Sequence, residues 1–153
     1  MQPSAREPIG LLAAAVRRAI KAAVAARAQP LGVSSQQFWM LVAILEAPGC
    51  TQAQLAARMR ADEPSVSRVM RTLVLRGWVR THRGEDDRRC LHVALTSAGR
   101  ALARRLQRHA AGIREAVEQP LTAEEAATTR ASLQKVAESL CRLAREKGPG
   151  RAA

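Results

Sequence analysis

The hydrophobic pattern of the chain changes from helical to alternating spacing near residue 79 and returns to helical spacing after residue 96, and this interruption limits the folds it can adopt. Up to residue 78 apolar residues recur three or four positions apart, as in amphipathic helices. Over Val79–Arg83 and Cys90–Leu95 they alternate with other residues, which predicts two short strands. The segment 84–89 between them is hydrophilic and carries both signs of charge, so it predicts an exposed hairpin tip. We therefore expect a mainly α-helical protein with one small β-hairpin.

The segments flanking this hairpin carry the signals that begin and end helices. Three helices are expected to start at capping boxes, in which a hydroxyl residue is followed three positions later by glutamine or glutamate: Ser34 with Gln37, Thr51 with Gln54, and Thr122 with Glu125. Asp62 is the predicted N-cap of the next helix, and Gly77 suits the left-handed residue just past its end. Helices are predicted over about 8–28, 34–47, 52–59, 63–76 and 97–118, with a last one after Thr122, and Thr96–Ser97 is the predicted cap of the helix 97–118. The first helix is expected to carry an apolar stripe of Ile9, Leu12, Val16, Ile20 and Val24, and the last one of Leu133, Val136, Leu140 and Leu143.

Length and composition indicate a small intracellular domain. The 153 residues are enough to bury a core, and because only 2% are aromatic, that core must depend on aliphatic side chains and alanine. The cysteines, Cys50, Cys90 and Cys141, are far apart and form neither a zinc pair nor a disulfide framework. Neither a membrane-spanning apolar run nor a signal peptide is evident, so we expect a cytoplasmic protein with no membrane partner.

The charge of the chain is strongly positive. Lysine and arginine number 25 against 13 aspartate and glutamate residues, which gives a formal net charge of +12. Such a charge attracts polyanions, and arginine is well suited to gripping phosphates. The alternative is an arginine-rich surface that is simply solvated. The positions of the arginines in the predicted fold distinguish these two interpretations.

The predicted elements follow the order of a winged helix-turn-helix: two short helices joined by a tight turn, followed by a charged hairpin. The major groove of DNA admits one helix, whose outward side chains read base edges and contact phosphates. On the helix 63–76 these outward residues are Ser65, Ser67, Arg68 and Arg71. At the hairpin, arginines suited to a minor-groove or backbone contact are Arg83, Arg88 and Arg89. Asp86 or Asp87 would orient one of these arginines through a charge-assisted hydrogen bond.

With these residues in view, the run 34–106 resembles the MarR family of winged helix-turn-helix regulators. The motifs that carry the resemblance are Gln54–Ala56, Pro64–Arg68, Leu73, Arg76–Gly77, Asp87–Arg89, and Leu91–Thr96 with Gly99. The stretch Glu63–Val66 is similar to SlyA-type members. One departure is Leu75, an apolar residue where the family usually has a charged one.

The resemblance implies a homodimer whose first helix and last two helices pack together, while each winged module meets one of two successive major grooves. It implies that Arg89 enters the minor groove, that Asp87 braces it, and that Arg68 is the main contact of the recognition helix. The corresponding domains are a helical dimerisation region (8–33 and 97–146), a DNA-binding region (34–96) and flexible tails (1–7 and 148–153).

The resemblance also suggests a site for a small effector. In relatives the position of Trp39 often borders a crevice between the dimerisation and DNA-binding parts, and His109, near the inner stripe of the helix 97–118, is the second candidate ligand contact. A small aromatic or phenolic anion bound there would lower DNA affinity. The alternatives are that Trp39 is a core residue and that His109 is a core or interface residue. No cysteine occupies the start of the first helix, where peroxide-sensing relatives carry one.

No catalytic constellation is evident in the sequence, so we expect a protein that is not an enzyme and that uses no cofactor or metal. The function expected is that of a DNA-binding transcriptional regulator, a ligand-responsive repressor acting as a homodimer on a pseudo-palindromic double-stranded DNA operator. Two alternatives remain open. One is an architectural, nucleoid-type protein that coats DNA with little sequence preference, and the other is a protein-interaction module.

Overall fold

The computed structural model describes residues 7–83 and 91–146, and it places helices and strands where the sequence predicts them. The helices are α1 (Ile9–Ala28), α2 (Ser35–Glu46), α3 (Gln52–Met59), α4 (Glu63–Leu75), α5 (Ser97–Glu118) and α6 (Ala123–Glu146). The strands are β1 (Val79–Arg83) and β2 (Leu91–Leu95), and a single 3-10 turn, Gln29–Leu31, follows α1. The predicted fold class, mainly helical with a β-hairpin wing, is confirmed.

The core is centred on α2. Phe38, Leu41 and Val42 are inaccessible to solvent or nearly so, and burying each such side chain contributes roughly 1.5–3 kcal/mol. Helices α3 and α4 and both strands add further side chains to this core: Leu55, Val66, Met70, Leu73, Val79, Val93 and Leu95. Helix α5 adds Leu106 and Ile113 together with small residues. The core therefore holds α4 and the hairpin on the same compact unit.

Capping boxes form at three helix starts, as the sequence predicts. The backbone N–H of Ser34 donates to Gln37 Oε1 at 2.9 Å, and the backbone N–H of Thr51 donates to Gln54 Oε1 at the same distance. At α6 the Thr122 N–H donates to Glu125 Oε2 at 2.8 Å, and the N–H of Glu125 returns a bond to Thr122 Oγ1. Each box satisfies backbone donors that a helix start leaves without partners.

The end of α4 is closed by a Schellman motif. Gly77 has a φ of +68°, its N–H donates to Val74 O at 2.9 Å, and the Trp78 N–H donates to Leu73 O at 3.0 Å. Glycine adopts this left-handed conformation without the steric cost that a Cβ would add. The motif turns the chain directly from α4 into β1.

A threonine joins the base of the hairpin to α5. The Thr96 hydroxyl donates to Gly77 O at 2.7 Å and accepts the N–H of Gly99 at 3.1 Å, while the Thr96 N–H donates to Trp78 O at 3.0 Å. Thr96 is thus the N-cap predicted for α5, and it also binds the turn that ends α4. The start of α5 and the end of α4 are fixed to each other through one side chain.

The structure divides into two compact units, one up to Ile113 and one from Arg114 onward. In the first unit, the N-terminal half of α1 leaves three residues of its predicted apolar stripe exposed: Ile9, Leu12 and Val16. In the second unit, α6 leaves its whole predicted stripe exposed, between 39% and 58% accessible: Leu133, Val136, Leu140 and Leu143. The predicted assignment of these helices to a dimerisation region stays a prediction, and the tail residues 1–6 and 148–153 lie outside the described residues.

None of the helices in the described ranges is both long and apolar enough to cross a bilayer.

Candidate nucleic-acid interface

Helix α4 begins at the N-cap predicted for it. Asp62 accepts the N–H of Ser65 at 2.8 Å, and Pro64 occupies the first turn, where no N–H is needed. Hydrogen bonds from the backbone N–H and the side chain of Ser65 hold the pKa of Asp62 below its ordinary value, since they favour the charged carboxylate. The helix start is therefore fixed by an ionised carboxylate at neutral pH.

The turn that joins α3 to α4 is tight. Arg60 ends α3 in the left-handed region with a φ of +48°, and its N–H donates to the carbonyls of Ala56 and Ala57. The Ala61 N–H also returns to Ala56 O, at 3.0 Å. Leu55 of α3 and Val66 of α4 are both buried in the common core. Since these apolar faces point inward, the opposite side of α4 is left to solvent.

That solvent side carries the residues predicted to read DNA. Arg68 and Arg71 are exposed, and Ser65 and Ser67 are half-buried on the same helix. The Arg68 guanidinium bends toward the start of α4, where Nη2 donates to Ser65 Oγ at 3.3 Å and Nε donates to Pro64 O at 3.4 Å. Both bonds are at the long end of the hydrogen-bond range, so Arg68 can exchange them for stronger ones to an anion or a base edge.

The wing is an antiparallel ladder that runs from Val79 opposite Leu95 to Arg83 opposite Leu91. Arg83 is exposed at the outer end of β1. The other predicted wing residues, Asp87, Arg88 and Arg89, lie outside the described residues, as does Asp86. Their roles stay predictions.

The wing is anchored to the turn between α2 and α3. The Val93 N–H donates to Cys50 O at 3.0 Å, and Thr51 forms an isolated bridge with His92. His92 Nδ1 lies 3.0 Å from Gly49 O, and because a carbonyl only accepts, Nδ1 carries the proton. The ring of His92 also stacks on that of His82, with centroids 5.5 Å apart. Both histidines thus have a structural explanation, and sequence analysis missed the role of His92.

The residues predicted to line an effector crevice are partly accessible. Trp39 is half-buried and meets Phe38 edge-on at a centroid distance of 5.0 Å, so it packs on the core while keeping part of its surface accessible. His109 is exposed on α5, which excludes a core position within this chain. The assignment of either residue to a ligand site stays a prediction.

Cys50 and Cys141 are free thiols, and Cys90 lies outside the described residues. Burial raises the pKa of the Cys50 thiol, which lowers its thiolate fraction. Within residues 7–83 and 91–146 no cluster of three metal-ligating side chains occurs.

Sequence analysis also missed the contacts of Arg76. This residue appears in the sequence as part of an Arg-Gly motif, whereas in the structure its side chain reaches back to the carbonyl of Gly32. A usable signal was Trp78, two positions later, whose ring the guanidinium covers.

Comparisons with known proteins agree with this geometry. A sequence profile of the MarR family matches residues 31–89. The chain is 35% identical over 71 residues to the HTH-type transcriptional regulator BilQ of Clostridium symbiosum, a match that covers 46% of this chain and about half, 49%, of BilQ. It is 31% identical over 108 residues to the multiple antibiotic resistance protein MarR of Escherichia coli, covering 70% of this chain and 75% of that protein.

Solved structures extend the likeness across most of the fold. A crystal structure of a mutant of E. coli MarR, complexed with operator DNA, superposes with a TM-score of 0.72 at 27% identity. The superposition covers 85% of this chain and 94% of that one. With the family profile and the sequence relatives, this superposition shows that the chain belongs to the MarR family of winged helix-turn-helix transcriptional regulators.

Proposed function

We propose that this chain represses transcription by binding, as a homodimer, to a pseudo-palindromic operator in double-stranded DNA. The observation that carries the proposal is the solvent face of α4, where Arg68 and Arg71 are exposed on a helix whose other face is locked into the core. Arginine grips guanine bidentately in the major groove. The E. coli MarR structure described above is complexed with operator DNA, which supports the same partner here.

Dimerisation is supported by the apolar side chains that single-chain packing leaves uncovered. Helix α1 exposes Ile9 at 64% and Val16 at 53%, and α6 exposes Leu140 at 58%. Covering such side chains is favourable in proportion to the apolar area removed from water. A two-fold dimer would present two copies of α4 to half-sites about one helical turn, roughly 34 Å, apart.

The wing completes the proposed contact. Its strand β2 is bonded to the α2–α3 turn through Val93 and His92, which fixes the hairpin to the core unit. Arg83 at the end of β1 is exposed to reach the backbone, and we expect Arg88 and Arg89 to contact the minor groove with Asp87 bracing Arg89. With chromosomal DNA as its target, the protein acts in the cytoplasm.

Control by a small aromatic or phenolic anion belongs to the same proposal. Such a ligand must favour the dimer geometry that does not bind DNA, since equal affinity for both geometries shifts nothing. Trp39, with part of its ring accessible beside Phe38, is the side chain on which an aromatic ligand would stack. A titration with small aromatic and phenolic carboxylates should lower operator affinity in the wild type and less so in Trp39→Leu.

Footprinting on the DNA flanking the gene tests the proposal. A regulator protects a few discrete sites with two-fold symmetry. Broad protection without preferred sites would favour the DNA-coating alternative that the net charge of +12 also permits. A dimer with no measurable DNA affinity would favour an interaction module and would overturn the proposal.

A further inference from the structure

The side chain of Arg76 joins two segments that are far apart in the sequence. Arg76 is the C-cap of α4, and its Nη1 donates to the carbonyl of Gly32 at 2.5 Å. The guanidinium carbon lies 5.0 Å from the ring centroid of Trp78. Gly32 directly follows the 3-10 turn that comes after α1, so the contact ties the end of α4 to the segment between α1 and α2.

Both partners of this guanidinium are held in place by other bonds. The Trp78 N–H donates to Leu73 O, and its carbonyl accepts the N–H of Thr96, both at 3.0 Å. Gly32 adopts a φ of +65°, and its own N–H donates to Gln29 O at 2.9 Å. The acceptor carbonyl and the stacking ring are therefore both pre-positioned for Arg76.

Arginine fits this arrangement better than other cations. Its guanidinium is planar, so one flat group can stack on an indole ring while an N–H in the same plane donates to a carbonyl. A lysine ammonium is a compact point charge, which can donate to the carbonyl but gives up the planar stack. Glutamine loses the charge as well.

We propose that Arg76 is a positioning residue for DNA recognition, one that sets the placement of α4 by fastening its C-terminal end to Gly32. This inference rests on the proposed function, because recognition requires side chains such as Arg68 and Arg71 to be held within about 0.5 Å of their productive positions. Arg76 acts through α4 and contacts no base itself.

The first arm of the test measures DNA binding of Arg76→Gln and Arg76→Lys, with Arg104→Gln as the charge-matched control on the exposed face of α5. We expect Arg76→Gln to lower operator affinity about tenfold, the effect of one charge-assisted hydrogen bond, and to lower random-duplex affinity no more than Arg104→Gln does. Arg76→Lys, which keeps the charge, should also lose operator preference. A role of Arg76 as a phosphate contact would overturn the inference. In that case Arg76→Gln would lose the same affinity for operator and for random DNA, and Arg76→Lys would keep the wild-type affinity. The slope of log K against log salt concentration would also be shallower by about 0.9 in Arg76→Gln.

The second arm needs no DNA. Hydrogen exchange at the Gly32 and Val33 amides, which donate to Gln29 O and Ala28 O, should be several-fold faster in both Arg76 variants and unchanged in Arg104→Gln. Unchanged exchange in the Arg76 variants overturns the inference whatever the DNA results are. A wild-type protein that does not distinguish operator from random DNA overturns the proposed function and the recognition role with it, while the exchange arm still reports separately on the contact.

Discussion

The carbonyl group of Trp78 occupies the space in which a side chain at Gly99 would begin. A Cβ on Gly99 would overlap the Trp78 carbonyl oxygen and lie 2.7 Å from its carbonyl carbon. This oxygen cannot easily move, because it accepts the Thr96 N–H at the base of the hairpin. Gly99, part of the motif Leu91–Thr96 with Gly99, therefore allows α5 to start directly against the end of the turn that follows α4.

Replacing Gly99 with alanine should destabilise the fold. We expect a loss of roughly 1–3 kcal/mol in the free energy of unfolding, since the clash is with backbone and not with a flexible side chain. Gly112, also on α5, is the matched control, because nothing lies within 4 Å of a Cβ built there. Gly112→Ala should stabilise the chain by roughly 0.5–1 kcal/mol. Urea denaturation of both variants checks this, and equal effects would contradict the steric argument.

The Thr96 hydroxyl should stabilise the junction between the end of α4 and the start of α5 independently of the steric effect at Gly99. Thr96→Val keeps the shape but removes the bonds to Gly77 O and from the Gly99 N–H. We expect a cost of roughly 1–2 kcal/mol, in the range measured for loss of an N-cap. Thr96→Ser keeps the hydroxyl and should lose much less. If thermal unfolding shows valine and serine to be equivalent, the junction does not depend on this hydrogen bond.

Local signals in the sequence were sufficient for the helices and the hairpin. The boxes at Ser34, Thr51 and Thr122 form as predicted because each is completed within four residues of chain. The glycine at position 77 has the positive φ that its place after α4 predicts. Such features depend on nearest neighbours alone, so periodicity and capping rules capture them.

Contacts between distant segments could not be predicted in this way. Arg76 meets Gly32 across 44 positions, and His92 meets Gly49 across 43, so neither contact leaves a local pattern in the sequence. Helical spacing likewise identified the apolar stripe of α6 without showing that Leu140 would be exposed within a single chain. Periodicity shows which residues share a face, and only the fold shows what that face meets.

The N-cap of α4 should make stability depend on acid pH. Hydrogen bonds from Ser65 lower the pKa of Asp62 from its usual value of 3.8, so the folded state binds a proton less readily than the unfolded chain. The resulting stabilisation is present above the usual value and is lost as the pH falls through the lowered one. Asp62→Asn keeps a capping oxygen but does not titrate.

We therefore expect the wild type to lose stability relative to Asp62→Asn as the pH falls from about 5 to 2. Glu125, whose pKa the Thr122 bonds also lower, contributes equally to both proteins and cancels in the difference. Thermal unfolding at a series of pH values gives the comparison. Parallel curves for the two proteins across this range would show that the Asp62 carboxylate is not coupled to folding.

A charge on the exposed stripe of α6 should weaken the proposed dimer. Leu140 is 58% exposed in the single chain, and a glutamate there would place a charge where the dimer buries apolar surface. Ala131, nine positions earlier and so on the opposite face of the helix, is exposed and serves as the control. Sedimentation should show that the Leu140→Glu dimer dissociates into monomers at a higher protein concentration than the dimer of the wild type or of Ala131→Glu. Identical dissociation of the two variants would exclude this stripe from the interface.

Arg68 should contribute specificity more than general affinity. Its guanidinium rests on Ser65 and Pro64 through long hydrogen bonds, so engaging a base edge costs little in the free protein. We expect Arg68→Ala to weaken operator binding by about 1–3 kcal/mol while changing random-duplex binding much less. Arg104→Ala, which removes the same charge from α5, should lower both affinities slightly and to the same extent. The measurement is the dissociation constant of each variant for operator and random DNA at one fixed salt concentration. Equal losses of affinity on the two DNAs would show that Arg68 contacts the phosphate backbone and that other residues of α4 read the bases.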